Sequence, residues 1–293
     1  MGAMAGMPGS TGPLIPRRRL GAEFRRLREA RGEQLKDTAK KLMFSTSKLS
    51  RIETGVAEPQ PRDLRDLLVY FGLTGTPHGA DLERWAAEAT EKPWWVVAGF
   101  DMPTRLEQYL AYESPATIIE EYSSNFIPGP LQTEDYATAV LRGLLPDLEP
   151  GEIAHQVALR RARRQYLDAR SAPPQLVFAF PEEVLRRTVG SHAVMRAQIT
   201  ALLDETDERL ALHVIPYSAG VYRALDASCT LFGYAAPDAP MVALSSAWTL
   251  EFTDGADVVA TLRGRFDDLS DHWLDRAQTR AFLQEIHDSL PTS

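Results

Sequence analysis

The chain has 293 residues, 44% of them hydrophobic, a single cysteine and a formal net charge of −8. This length suits a substantial core divided over about two domains, and a lone Cys229 excludes both an intramolecular disulfide framework and a cysteine-clustered metal site. No apolar run approaches the roughly twenty residues that span a bilayer, and residues 1–16 lack the charge and apolar centre of a signal peptide, so a cytoplasmic protein without membrane contact is expected.

Residues 1–16 are rich in Gly, Pro, Ser and Met and predict a disordered tail, its opening Gly-Ala-Met-Ala having the look of a cloning scar. From residue 17 to 75 the pattern is helical throughout. Leu20, Phe24 and Leu27 recur at helical spacing along an Arg-rich stretch, and Leu35, Ala39 and Leu42 repeat this after the break at Gly32. In the next segment Ser45 is placed to cap a helix, Leu49 and Ile52 face its core, and Gly55 ends it. Thr46, Ser47, Lys48, Ser50 and Arg51 are left outward. Small hydroxyls near a helix start, followed by Lys and Arg, suit entry into a major groove and donation to base edges. Arg51 offers a bidentate donor pair for guanine. Arg19, Lys36 and Arg62, the last read as part of the loop after this helix, are placed for phosphates. Pro59 and Pro61 mark that loop, and Leu64, Leu67, Leu68 and Phe71 form a fourth helix closed by Gly72.

Charge divides in the same place. Residues 17–72 hold fourteen Lys/Arg against eight Asp/Glu, a balance of +6, which leaves −14 for the remainder. A basic head on an acidic body predicts duplex DNA as partner of the head alone.

Residues 76–103, with Trp85 and the pair Trp94-Trp95, read as a connecting segment that packs onto a second domain over 104–293. That domain opens with a helix at 104–112. Pro128-Gly129-Pro130 makes a rigid turn, and Gln132 or Thr133 caps the following helix through Ala137, Val140 and Leu141. A long helix over 150–170 carries the basic cluster Arg160, Arg161, Arg163 and Arg164. Short apolar runs at 176–180, 209–216, 229–234, 241–244 and 248–252 predict about five strands, with a helix at 193–203 opened by Ser191 and two closing helices at 256–269 and 274–289. The fold class is therefore α+β behind an all-α head. Gln132, Tyr217 and Tyr222 are polar and aromatic groups of the kind that line a small-molecule pocket, and form the candidate effector or partner site.

Catalytic chemistry is not signalled. His78, His155, His192, His213, His272 and His287 are scattered without the i, i+4 pairing of a helical zinc site, and there is neither a Gly-rich phosphate loop nor a Gly-x-Ser-x-Gly elbow. No enzyme, metal or cofactor is expected.

Two resemblances follow from these motifs. Ser45-x-x-x-Leu49-Ser50-x-Ile52-Glu53-x-Gly55, with Ala39 on the preceding helix, resembles the Cro/Xre-type repressor domain over about residues 18–75, which implies a lambda-repressor-like helix-turn-helix. Glu33 and Thr38 stand where that family places apolar residues, and Met43-Phe44 replaces its common Gly-Val. Residues 127–136, reading Ile-Pro-Gly-Pro-Leu-Gln-Thr-Glu-Asp-Tyr, are similar to the Pro-Gly-Leu-Leu-Gln-Thr-x-x-Tyr signature of actinobacterial Xre-type regulators. Arg161-x-x-Arg164-Gln165, Leu185-Arg186-Arg187-x-Val189-Gly190, Met195-x-x-Gln198 and Val214-Ile215-Pro216-Tyr217-x-x-Gly220 also look like that group. Pro181-Glu182-Glu183 and the end of the strand at 241–245 depart from it in their acidic residues.

The resemblance implies a transcriptional regulator, a repressor for example, whose gene neighbours one for a small partner protein. We therefore expect a homodimeric DNA-binding regulator with an effector- or partner-binding second domain. The alternative is an antitoxin-like interaction module that holds a small partner protein and autoregulates its operon.

Overall fold

The computed structural model describes residues 11–205, 208–222, 228–235, 240–245 and 249–291. Residues 1–10 of the expected tail and Trp248 of the expected last strand lie outside the described residues. Contacts divide the chain into two compact units, the first ending at Pro115 and the second beginning at Ala116.

The first unit is helical. α1 (Leu14–Ala30), α2 (Leu35–Lys41), α3 (Thr46–Glu53), α4 (Pro61–Phe71) and α5 (Pro77–Glu88) enclose one apolar core. Leu20 and Phe24 of α1, Ala39 of α2, Leu49 and Ile52 of α3, Leu67, Leu68 and Phe71 of α4, and Leu82 of α5 all bury there. The apolar spacing of each helix supplies this face, and burying it stabilises helices too short to persist alone.

α1 begins earlier than the sequence suggests. Leu14 to Pro16 belong to the helix rather than to a tail, with Ile15 and Pro16 buried. Proline is compatible with a first turn, where its missing N–H has no helical acceptor, and Ile15 gains a core. Residues 76–103 also differ from a connector. α5 completes the core through Leu82, and α6 (Trp94–Val97) and α7 (Thr104–Glu113) lie in the same unit. Trp94 and Trp95 are both 2% exposed, their rings meet edge to face, and Trp94 Nε1 donates to Ser114 Oγ at 2.9 Å.

The second unit is α+β. Its six strands are β1 (Ile118–Tyr122), β2 (Gln175–Pro181), β3 (Leu210–Ile215), β4 (Ser228–Gly233), β5 (Met241–Ser245) and β6 (Leu250–Thr253), in the order β3-β2-β1-β4-β5-β6. β1, β2 and β3 are parallel neighbours, whereas β4, β5 and β6 continue as an antiparallel meander. The first crossover carries α8 (Glu134–Leu144) and α9 (Pro150–Ala169), and the second carries α10 (Glu183–Arg186) and α11 (His192–Leu203). Both step the same way along the sheet, and crossovers share one hand, so their helices cover one face. α12 (Ala256–Ser270) covers the other, packing Leu262, Phe266 and Leu269 on Tyr122, Ala179, Leu231 and Val242. Before α13 (Arg276–Ser289), Leu274 donates its N–H to Val214 O at 2.8 Å and closes the β3 edge, which blocks further pairing there.

β1 is the strand missing from the sequence-based count. It lies at the centre of the sheet, yet Glu120-Glu121 interrupts its apolar run. Arg263 of α12 makes an ion pair with Glu120, which lets a carboxylate stand on that face.

Candidate nucleic-acid interface

α2, the turn at Met43-Phe44 and α3 form the helix-turn-helix. Ser45 Oγ accepts from Lys48 N at 3.1 Å and caps α3, while Gly55, in left-handed backbone at φ 69°, returns its N–H to Ile52 O at 3.0 Å.

Two contacts set the placement of α3. Gly21, in mid α1, has no side chain to obstruct it: a Cβ there would lie 2.3 Å from Ile52 O and 2.8 Å from Glu53 O. Beside it Arg28 and Glu53 form a buried bidentate pair, Nε to Oε1 at 2.7 Å and Nη2 to Oε2 at 2.8 Å. Neither was singled out from the sequence. The signals were present, because Arg28 continues the apolar i, i+4 stripe of Leu20 and Phe24, and a glycine inside an amphipathic helix marks a close approach.

With Leu49, Ile52 and Glu53 buried, Thr46, Ser47 and Arg51 are exposed and Ser50 is half-buried. Among the described residues Arg51 has no ion-pair partner, nor do the exposed Lys36 and Lys40 of α2. Lys40 was not anticipated, although its sequence neighbourhood is basic.

Three expected DNA contacts are placed differently. Lys48 is turned towards α4: its Nζ lies 2.6 Å from Asp63 Oδ1 and 4.5 Å from the Phe44 ring centroid. Asp63 completes the capping box of α4 with Gln60, so Lys48 also joins two helices. Arg19 has its guanidinium 5.2 Å over the Trp85 ring, a cation–π contact. Arg62 is the second residue of α4 rather than part of a loop, exposed and loosely set 3.6 Å from Asp66.

Glu33 and Thr38, polar where apolar residues were expected, answer each other. Lys41, Thr38 and Tyr70 all donate to the Glu33 carboxylate, which holds its pKa down to about 2. A polar bracket between the start of α2 and α4 thus replaces apolar packing. Met43, in the place of the usual glycine, adopts φ 55°.

In the second unit Gln132, Tyr217 and Tyr222 do not share a pocket. Tyr222 is buried under α12 with its hydroxyl 3.0 Å from that of Tyr122, whereas Gln132 lies among the crossover helices and donates to Ile127 O at 2.8 Å. Tyr217 is exposed, its N–H donating to Glu182 Oε2 at 2.8 Å. Sequence distance hides this separation, because the sheet lies between the two layers. The other motif residues form brackets. Buried Gln198 accepts from Thr133 N at 2.7 Å and donates to Leu131 O at 2.8 Å, and Glu182 pairs with Arg186 while holding Tyr217. Thr133, not Gln132, caps α8.

Among the described residues no helix is long and apolar enough to cross a membrane, and no three His, Cys, Asp or Glu side chains gather as metal ligands would.

A capped reading helix held at the surface of a helical core, with cations around it, defines a DNA-binding domain of the helix-turn-helix class. Residues 19–80 match the family model described as helix-turn-helix domain. Residues 106–285 match that of the domain of unknown function (DUF5753), and since this covers more than half of the chain, the chain belongs to that family. None of the curated proteins and none of the solved structures compared with the chain matches it.

Proposed function

We propose that this protein is a sequence-specific transcriptional regulator, not an enzyme, in which the first unit reads duplex DNA and the second pairs two copies and receives an effector or partner. The observation that carries the reading is the outward face of α3, where Ser47 and Arg51 stand clear of the core and Arg51 is left without a carboxylate among the described residues. Guanidinium groups held this way match the acceptor pair of guanine, while Lys36 and Arg62 flank α3 in sequence and suit phosphates. One such helix spans few base pairs, so a pair of them on half-sites about one helical turn apart is the working form.

Binding isotherms on the gene's own upstream DNA and on scrambled duplex test this. Arg51→Ala is expected to cost about 1 to 3 kcal/mol on the operator and little on scrambled DNA. Arg62→Ala weakens both alike and lowers the salt slope by roughly one unit. Equal losses on both duplexes for Arg51→Ala assign it to the backbone, and no binding by the full chain at low salt removes the reading altogether.

A further inference from the structure

Two stretches of the second unit, the turn around Pro130 to Thr133 and the basic cluster of α9, meet around one cavity of about 210 Å³. Its walls include Gln132, Ala137, Val157, Arg160, Arg161 and Arg164. The cations are not equivalent. Arg161 is paired at the surface with Glu134 at 2.6 Å, and Arg164 is held by Asp168 at 2.8 Å and Glu205 at 3.1 Å. Arg160 is half-buried, its one hydrogen bond goes to the carbonyl of Gln156 in its own helix at 3.1 Å, and no carboxylate pairs with it among the described residues. Burial and neighbouring Arg163 lower its pKa to about 10, so it remains a cation at neutral pH in a place that disfavours one. Gln132 lines the same cavity, and its Oε1 is buried with no donor among the described residues, although Nε2 of the same amide is satisfied.

A withdrawn guanidinium lacking an anion and a buried acceptor lacking a donor are complementary halves of one recognition pattern. We propose that this cavity is the binding site of a small organic carboxylate that carries a neutral N–H or O–H donor on the carbon next to its carboxyl. The carboxylate meets Arg160, the Gln132 side chain turns its closed-off Oε1 to the donor on binding, and the remaining carbon atoms lie against Ala137 and Val157. The cavity is smaller than the roughly 300 to 1,000 Å³ of pockets for drug-sized ligands, which limits the guest to a few heavy atoms. Phosphate fits poorly, because it has no carbon atoms to lie against Ala137 and Val157. A free amino acid fits poorly too, since its ammonium would face three arginines against the single carboxylate of Glu134, which Arg161 already engages. The inference deepens the reading of the second unit as the receiving half of a regulator and rests on it only for the effect on DNA.

Thermal unfolding of the full chain decides it, with 2-hydroxyisovalerate and N-acetylglycine as probes and 2-hydroxyisovaleramide, valine and inorganic phosphate as controls. At about ten times Kd either acid is expected to raise the melting temperature by about 2 to 4 °C, and the controls to leave it unchanged. Arg160→Met keeps the aliphatic stem but removes the charge; it should raise the melting temperature without ligand and abolish the response to both acids. Gln132→Leu should weaken the response at least several-fold while Arg160 remains. No shift with either acid, an equal shift in Arg160→Met, or a lower melting temperature of Arg160→Met without ligand each overturns the site. A shift that leaves operator affinity unchanged upholds the site and removes its regulatory meaning.

Discussion

Arg28 and Arg160 sit on helices of different units, both withdrawn from water, and differ in what meets them. Arg28 in the first unit is gripped by Glu53 through two short hydrogen bonds; Arg160 in the second has, among the described residues, only the carbonyl of its own preceding turn. A buried charge with a matched partner belongs to the scaffold, because removing either member strands the other. A withdrawn charge without one is a standing cost to folding. The first unit is thus built to hold α3 in one place, and the second leaves Arg160 without a carboxylate among the described residues.

The strongest way to break this comparison is Arg28→Ala, which leaves Glu53 buried and unpaired. It should destabilise the first unit by about 3 to 5 kcal/mol in urea unfolding and abolish operator binding, whereas replacing both residues with Met should restore most of the stability. If Arg28→Ala costs no more than a surface substitution, the two arginines are alike and the contrast falls. Gly21→Ala probes the same placement of α3 without touching charge. Its Cβ would press on the carbonyl of Ile52, and a loss of about 1 to 3 kcal/mol with weakened DNA binding is expected, despite the better helix propensity of alanine. Retention of full affinity would show that α1 can move aside.

Glu33 sharpens the point that the first unit satisfies its polar groups. Its carboxyl holds a proton less tightly folded than unfolded, so its contribution is complete above the ordinary pKa of 4.5 and fades as pH falls towards about 2. Stability followed from pH 5 to 2 should therefore decline, and Glu33→Gln should make that decline shallower. The smallest effect is at Met43, which is 86% exposed in left-handed backbone. Met43→Gly relieves about 1 to 2 kcal/mol of strain, partly offset by glycine's greater unfolded-state entropy, so a gain of about 0.5 kcal/mol in urea unfolding is expected. A loss would mean that the Met side chain contributes packing.

Much of the first unit was legible because its signals are local. Capping by Ser45, the ending at Gly55 and the apolar spacing of four helices act within a few residues, and they position Thr46, Ser47 and Arg51 outward with no tertiary information. The contacts of Lys48 and Arg19 were not legible for the opposite reason. Helical periodicity says that a side chain leaves the core, not whether a neighbouring helix offers it Asp63 or an indole face. β1 escaped notice because its paired glutamates mimic a surface segment, and only α12 supplies the arginine that permits Glu120 there.

The sequence alone thus determined the class: a basic helical reader with a capped recognition helix, followed by an acidic α+β body of short apolar strands. Local hydrogen bonds and the spacing of apolar residues are properties of the chain itself, and they carry that far. What tertiary structure decided is which polar groups meet. It brought Glu53 to Arg28, Gln198 to the turn at Leu131 and Thr133, and Gln132 to Arg160, while parting Gln132 from Tyr222 on opposite faces of the sheet. Such pairings join residues far apart in sequence, and their energies depend on burial that exists only once the layers have packed.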